Sequence, residues 1–227
     1  MALGIGPHER HMPRMNRRTL LRLAVMPVLL APAAALAQAS FSPTPQDEAD
    51  LQQVQTYLNS IHTLRAHFLQ VAPDGAMSQG TVWMERPGRM RFEYDPPAPF
   101  LLVAGGGVLS FEDRSIKQVS QAPLSFTPLG ILLADHVTLS GPVTVVGMQR
   151  LPAQLEVTLD RTSSPRDGSL TLLFTENPMV LRQWTVRDAQ DRITRVTLYN
   201  IEQGMNLDPN LFHFVDPRSF QGMGNGG

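Results

Sequence analysis

The sequence predicts a mainly β fold with some α: a strongly curved antiparallel sheet of about eleven strands, an incomplete or half β-barrel, covered by one long N-terminal helix and short helices. Three observations predict it. Apolar residues alternate with period two over a succession of short stretches between residues 66 and 201. Turn residues (Pro87-Gly88, Gly105-Gly106-Gly107, Asp167-Gly168, Asn177-Pro178) separate these stretches closely enough for an antiparallel meander. One long stretch, about 47–64, carries helical spacing instead. So many strands with so few helices leave exposed edges, which a curved sheet plugged by helices relieves.

The first 39 residues read as a cleaved export signal, and 40–227 as a single domain. Arg10, Arg14, Arg17 and Arg18 precede an apolar run from Leu20 to Leu36, and small residues follow at Ala35-Leu36-Ala37 or Ala37-Gln38-Ala39. Arg22, Pro27 and Pro32 make that run a poor permanent membrane span. Asn16-Arg17-Arg18-Thr19-Leu20-Leu21 is similar to a twin-arginine signal. An ordinary secretory leader with paired arginines fits equally, and a start at Met12 or Met15 would give it ordinary length. The expected mature protein begins at Gln38 or Ser40. With no Cys anywhere, it has no lipid anchor, disulfide or thiolate metal site.

Asp47, Glu48 and Asp50 favour a helix start, and Leu51, Val54, Leu58, Ile61 and Leu64 follow on one stripe. Strands are expected at Ala66–Val71, Gln79–Arg86, Arg89–Tyr94, Phe100–Val103, Val108–Glu112 and Ile116–Val119. In the hairpin around Pro87-Gly88, Met90, Phe92 and Tyr94 share one face, and Arg89, Arg91 and Glu93 the other. Arg86 is the anomaly, a charge in phase with apolar Val82 and Met84. By spacing alone it is a strand-end arginine reaching water along its stem. Pro123–Asp135 interrupts the meander with the most apolar loop of the chain, in which Pro128 suits the first turn of a short helix capped by Thr127. Strands resume at Val137–Val146 (broken by Gly141-Pro142), Gln154–Asp160, Ser169–Thr175, Val180–Arg187 and Ile193–Ile201.

Composition excludes several functions. Removing the leader leaves 14 basic against 19 acidic residues, a balance of −5 that argues against a nucleic-acid partner. No GxSxG, HExxH, nucleotide loop or calcium loop occurs, so no enzyme activity and no cofactor are expected. A hydrolase built on Glu93 and Asp188 has little support, because Glu93 falls on the wet face. What the chain has is apolar surface facing one way. A half-open sheet lined by Phe68, Met84, Met90, Phe92, Leu102 and Trp184 holds more apolar lining than a compact plug needs, and eleven Met suit an adaptable lining. The same residues could equally fill a closed core.

The order of several motifs resembles the periplasmic outer-membrane lipoprotein carrier family. They are Trp83, Arg86-Pro87-Gly88, Arg91-Phe92, Asp95-Pro96-Pro97, Thr127-Pro128-Leu129 with Leu132-Leu133, Val180–Trp184 with Asp188, and Leu211–Phe214. The resemblance covers nearly the whole chain after the leader. It implies a monomeric periplasmic carrier whose cavity binds the acyl chains of lipoproteins. An inner-membrane ABC transporter would load it, and an outer-membrane acceptor is a further implied partner. It also implies that Leu129, Ile131, Leu132 and Leu133 belong to a lid, and that Arg86 latches the lid by hydrogen bonds to its backbone. Two other readings of the same fold stand beside it: an envelope lipid or glycolipid carrier, and a lipoprotein-sensing anti-sigma partner. The second usually carries a further C-terminal domain, for which this chain is short.

Overall fold

A computed structural model describes residues 41–220; the expected export signal, its cleavage site and the glycine-rich end lie outside the described residues. Eleven strands form one antiparallel sheet, as expected. The first meander is β1 (Thr63–Val71), β2 (Met77–Glu85), β3 (Arg89–Tyr94), β4 (Phe100–Gly105), β5 (Val108–Asp113) and β6 (Gln118–Pro123). The second is β7 (Val143–Leu151), β8 (Gln154–Arg161), β9 (Gly168–Thr175), β10 (Val180–Asp188) and β11 (Ile193–Gln203). Pairing of β1 with β11 joins them in the order β6-β5-β4-β3-β2-β1-β11-β10-β9-β8-β7. The sheet is not closed: β6 and β7 are its two edges, and the chain between them crosses from one edge to the other. Register shifts in β1, β7 and β10 mark bulges, which bend a strand and increase its twist.

The core lies on one face of the sheet. Strand residues two apart share a face, so Leu64, Ala66 and Phe68 of β1 are buried beside Val82 and Met84 of β2 and Met90, Phe92 and Tyr94 of β3. Leu155, Val157 and Leu159 of β8 and Leu170, Leu172 and Phe174 of β9 do the same in the second meander. Over this face lies α1 (Pro45–Ser60), which buries Val54 and Leu58. The helix starts at a capping box in which Thr44 and Asp47 bond reciprocally. Arg150 of β7 reaches both Asp47, at 2.7 Å, and Asp50, fixing the helix start to the sheet edge.

Four expectations are corrected. The helix ends at Ser60 rather than Leu64, because Leu64 also fits period two and its backbone pairs with both β2 and β11. The sixth strand is Gln118–Pro123, later than expected; Ile116 sits exposed in a turn organised by the Asp113 carboxylate, which accepts from Ser115 N. Residues 137–140 are not strand. Asn59 of α1 instead accepts from Val137 N and donates to its carbonyl, both at 2.9 Å, and Gln55 accepts from Leu139 N. Finally, Thr127 does not cap the short helix α2 (Leu129–Leu132): its hydroxyl turns back to donate to Leu124 O. Among the described residues no helix is long and apolar enough to cross a membrane.

Candidate functional site

The concave face carries a continuous run of aromatic rings. Trp184 meets Phe92 edge-on at 6.0 Å between centroids, and Phe92 meets Phe68 at 4.9 Å. Phe68 meets Tyr94 at 5.1 Å, Tyr94 meets Phe100 at 5.7 Å, and Phe100 meets Phe111 of β5 at 5.6 Å. All but the tilted Phe100–Phe111 pair are edge-to-face, a geometry that favours a fixed arrangement beyond simple burial. The run is graded in exposure. Phe68, Met84, Met90, Phe92 and Trp184 are at most 3% exposed, whereas Phe100, Leu102, Leu109 and Phe111 are half-buried toward the β6 edge. The six residues singled out in the sequence thus share one face, five deep and Leu102 nearer the edge. Tyr94, Phe100, Leu109 and Phe111 belong with them. Tyr94 was legible, being in phase with Met90 and Phe92; Phe100 is in phase with Leu102 in the same way.

Tyr94 is the polar exception within this face. Its hydroxyl donates to Gln70 at 2.9 Å, and burial pushes its pKa up to about 12, since the phenolate would have to be desolvated.

Over one end of this face lies the crossover from β6. A 3-10 turn (Leu124–Phe126) and α2 place Leu124, Ile131, Leu132 and Leu133 in the same apolar cluster as the sheet, with Leu129 partly buried against it. Phe126 of the same segment is 68% exposed. Three bonds from three parts of the sheet fix the segment. Leu124 N donates to Gly107 O in the β4–β5 turn, and Gly88 N in the β2–β3 turn donates to Leu133 O, each at 2.8 Å. The third comes from a side chain: Arg161 Nη2, at the end of β8, donates to Thr127 O at 2.8 Å.

Arg86 lies at the β2–β3 turn, two residues before the Gly88 contact, half-buried. Its Nε and Nη2 are buried with no hydrogen-bond partner. Burial alone lowers its pKa to about 10, yet an arginine stays protonated at any physiological pH, so the site holds a poorly solvated cation. The contact between this turn and the crossover is therefore a backbone bond, from Gly88, and neither Nε nor Nη2 of Arg86 contributes one. Arg161 was missed by the sequence reading, although the signal was present: it continues the phase of Leu155, Val157 and Leu159, as Arg86 continues that of Val82 and Met84.

The geometry is that of an apolar, aromatic face with a short helical segment over one end. The family model described as outer membrane lipoprotein carrier protein LolA matches residues 59–215. An outer-membrane lipoprotein carrier protein of Nitrosomonas europaea is 29% identical over 188 residues, covering 77% of this chain and 89% of that protein. One of Methylococcus capsulatus is 28% identical over 204 residues, covering 86% and 93%. Among solved structures, a LolA superfamily protein from Nitrosomonas europaea aligns with a TM-score of 0.41 at 11% identity, over 72% of this chain and 97% of that one. Since the matched region takes in every strand of the sheet and the crossover above it, the chain belongs to the outer membrane lipoprotein carrier protein LolA family.

Proposed function

We propose that this protein is a periplasmic carrier that takes up the acyl chains of lipoproteins on its concave face and ferries them from the inner to the outer membrane. One observation carries the reading: the aromatic and methionine-lined face runs unbroken from fully buried Phe68 and Trp184, in one cluster with α1, to half-buried Phe111, and a segment of only ten residues covers one end of it. Each methylene withdrawn from water is worth about 0.8 kcal/mol, so an acyl chain competes well with the cover for that surface. Leu129, Ile131, Leu132 and Leu133 are the lid in this reading. Phe68, Met84, Met90, Phe92, Leu102 and Trp184 line the ligand site once the lid lifts. Arg86, with donors unpaired beside the Gly88–Leu133 contact, serves the lid's opening and closing. An inner-membrane lipoprotein-releasing ABC transporter would load the carrier and an outer-membrane acceptor would unload it, the protein working as a monomer without a cofactor.

The test is Phe92→Glu. A carboxylate among Phe68, Tyr94 and Trp184 costs several kcal/mol unless it stays protonated. The variant is expected to bind markedly less triacylated lipoprotein, with the sheet retained by circular dichroism. A folded Phe92→Glu protein that loads acylated cargo normally would put the acyl site elsewhere.

A further inference from the structure

Two arginines end strands in phase with the apolar face, one in each meander: Arg86 after β2 and Arg161 at the end of β8. Arg161 Nη2 donates to Thr127 O, in the connection between the 3-10 turn and α2. Its Nε is buried with no hydrogen-bond partner, and burial lowers its pKa, with Asp167 opposing that shift by its charge. The approach is close enough to constrain the lid's own sequence. A Cβ on Gly130 would lie 2.6 Å from Arg161 Nη2 and 2.6 Å from Leu124 O, so a side chain there would force the guanidinium or the turn aside. The lid is therefore fixed at both ends, but differently: Leu133 by the Gly88 backbone, Thr127 by a charged side chain from the far meander.

We propose that Arg161 is a positioning residue for the lid, the charged latch that holds its first turn down over the concave face and must let go for acyl chains to enter. The proposal rests on the carrier reading for its purpose and on the Arg161–Thr127 bond for its geometry. The bond joins β8 to the segment following β6, so breaking it frees the lid's first turn without unpairing any strand, while Leu133 stays bonded to Gly88. A backbone carbonyl accepting from a guanidinium leaves no buried charge pair behind, which suits a contact made and broken repeatedly.

Hydrogen exchange on the mature protein, without cargo, tests this directly. Arg161→Leu is expected to accelerate exchange of the Gly130 and Leu133 amides roughly ten- to a hundredfold, the range a hydrogen bond from a charged donor corresponds to. Amides of β8 and β9 should keep their protection. Arg161→Lys should fall between, because an ammonium lacks the planar fork. Gly130→Ala, whose Cβ crowds Arg161 Nη2 and Leu124 O alike, should accelerate the same lid amides, and by less when Arg161 is already replaced by Leu. Unchanged lid exchange in Arg161→Leu, or acceleration spread evenly through β8 and β9, would overturn the assignment. Should Arg161→Leu not fold, unchanged lid exchange in both Arg161→Lys and Gly130→Ala would do so. Failure of the wild-type protein to load acylated cargo would refute the carrier reading and leave the latch measurement untouched.

Discussion

Replacing Arg86 by Leu is expected to make the ligand-free protein more stable. The guanidinium sits half-buried at the end of β2 with Nε and Nη2 unpaired, and burial depresses its pKa to about 10. A tenfold change in proton affinity corresponds to about 1.4 kcal/mol. Discounted for the solvent the side chain still meets, the penalty of holding this cation comes to about 1–2 kcal/mol. Leucine removes the charge and keeps an apolar stem in phase with Val82 and Met84. For a domain of this size the melting temperature should rise by about 3–6 °C, and the urea midpoint should move up with no change in slope. The assay is thermal and urea unfolding of the mature protein followed by circular dichroism. A fall in melting temperature would mean instead that the guanidinium makes stabilising bonds. If the more stable variant also delivers lipoprotein more slowly, the cost of Arg86 is tied to function rather than to folding.

Two further predictions concern pH. Tyr94 has a raised pKa, so its contribution to stability is complete below the ordinary tyrosine range near 10 and is lost as pH rises through about 12. In an alkaline titration read by phenolate absorbance, its step should be the last to develop, and Tyr94→Phe should abolish that step and soften the alkaline loss of stability. Asp47 is held below the usual carboxylate range by the Thr44 backbone N–H first, then the Thr44 hydroxyl and Arg150. Its contribution is thus present above about pH 4 and fades as pH falls below that, so Asp47→Asn should flatten the acid limb of the stability curve. An acid limb identical to wild type would remove the capping box from the account.

The strands were legible because their alternation is strict where one face is buried: Met90, Phe92 and Tyr94 specify β3 to the residue. Legibility failed where burial is one-sided by chance or absent. The edge strand β6 pairs with only one neighbour and buries only Val119, so its sequence carries no period, and apolar Ile116 misled by falling in a turn. Residues 137–140 look like a strand by composition, but their backbone groups are taken by Asn59 and Gln55, some eighty residues earlier, which no local pattern announces. Leu64 fitted both periods, and only the pairing of β1 with two strands decides it. At the site, the apolar face followed from phase alone. The contacts of the crossover segment did not, because a guanidinium reaching a backbone carbonyl leaves no mark at the acceptor, Thr127. The mark lies elsewhere, in a charged residue in phase with an apolar run and in Gly130 where a helix would tolerate alanine.

In the proposed role, acyl chains rather than the polypeptide of a lipoprotein occupy the concave face. Native mass spectrometry of the mature protein with a triacylated lipoprotein, and with the same lipoprotein made without its acyl chains, measures this most directly. A one-to-one complex is expected with the acylated form, weakened in Phe92→Glu, and none with the unacylated form. Equal binding of the two forms would contradict it.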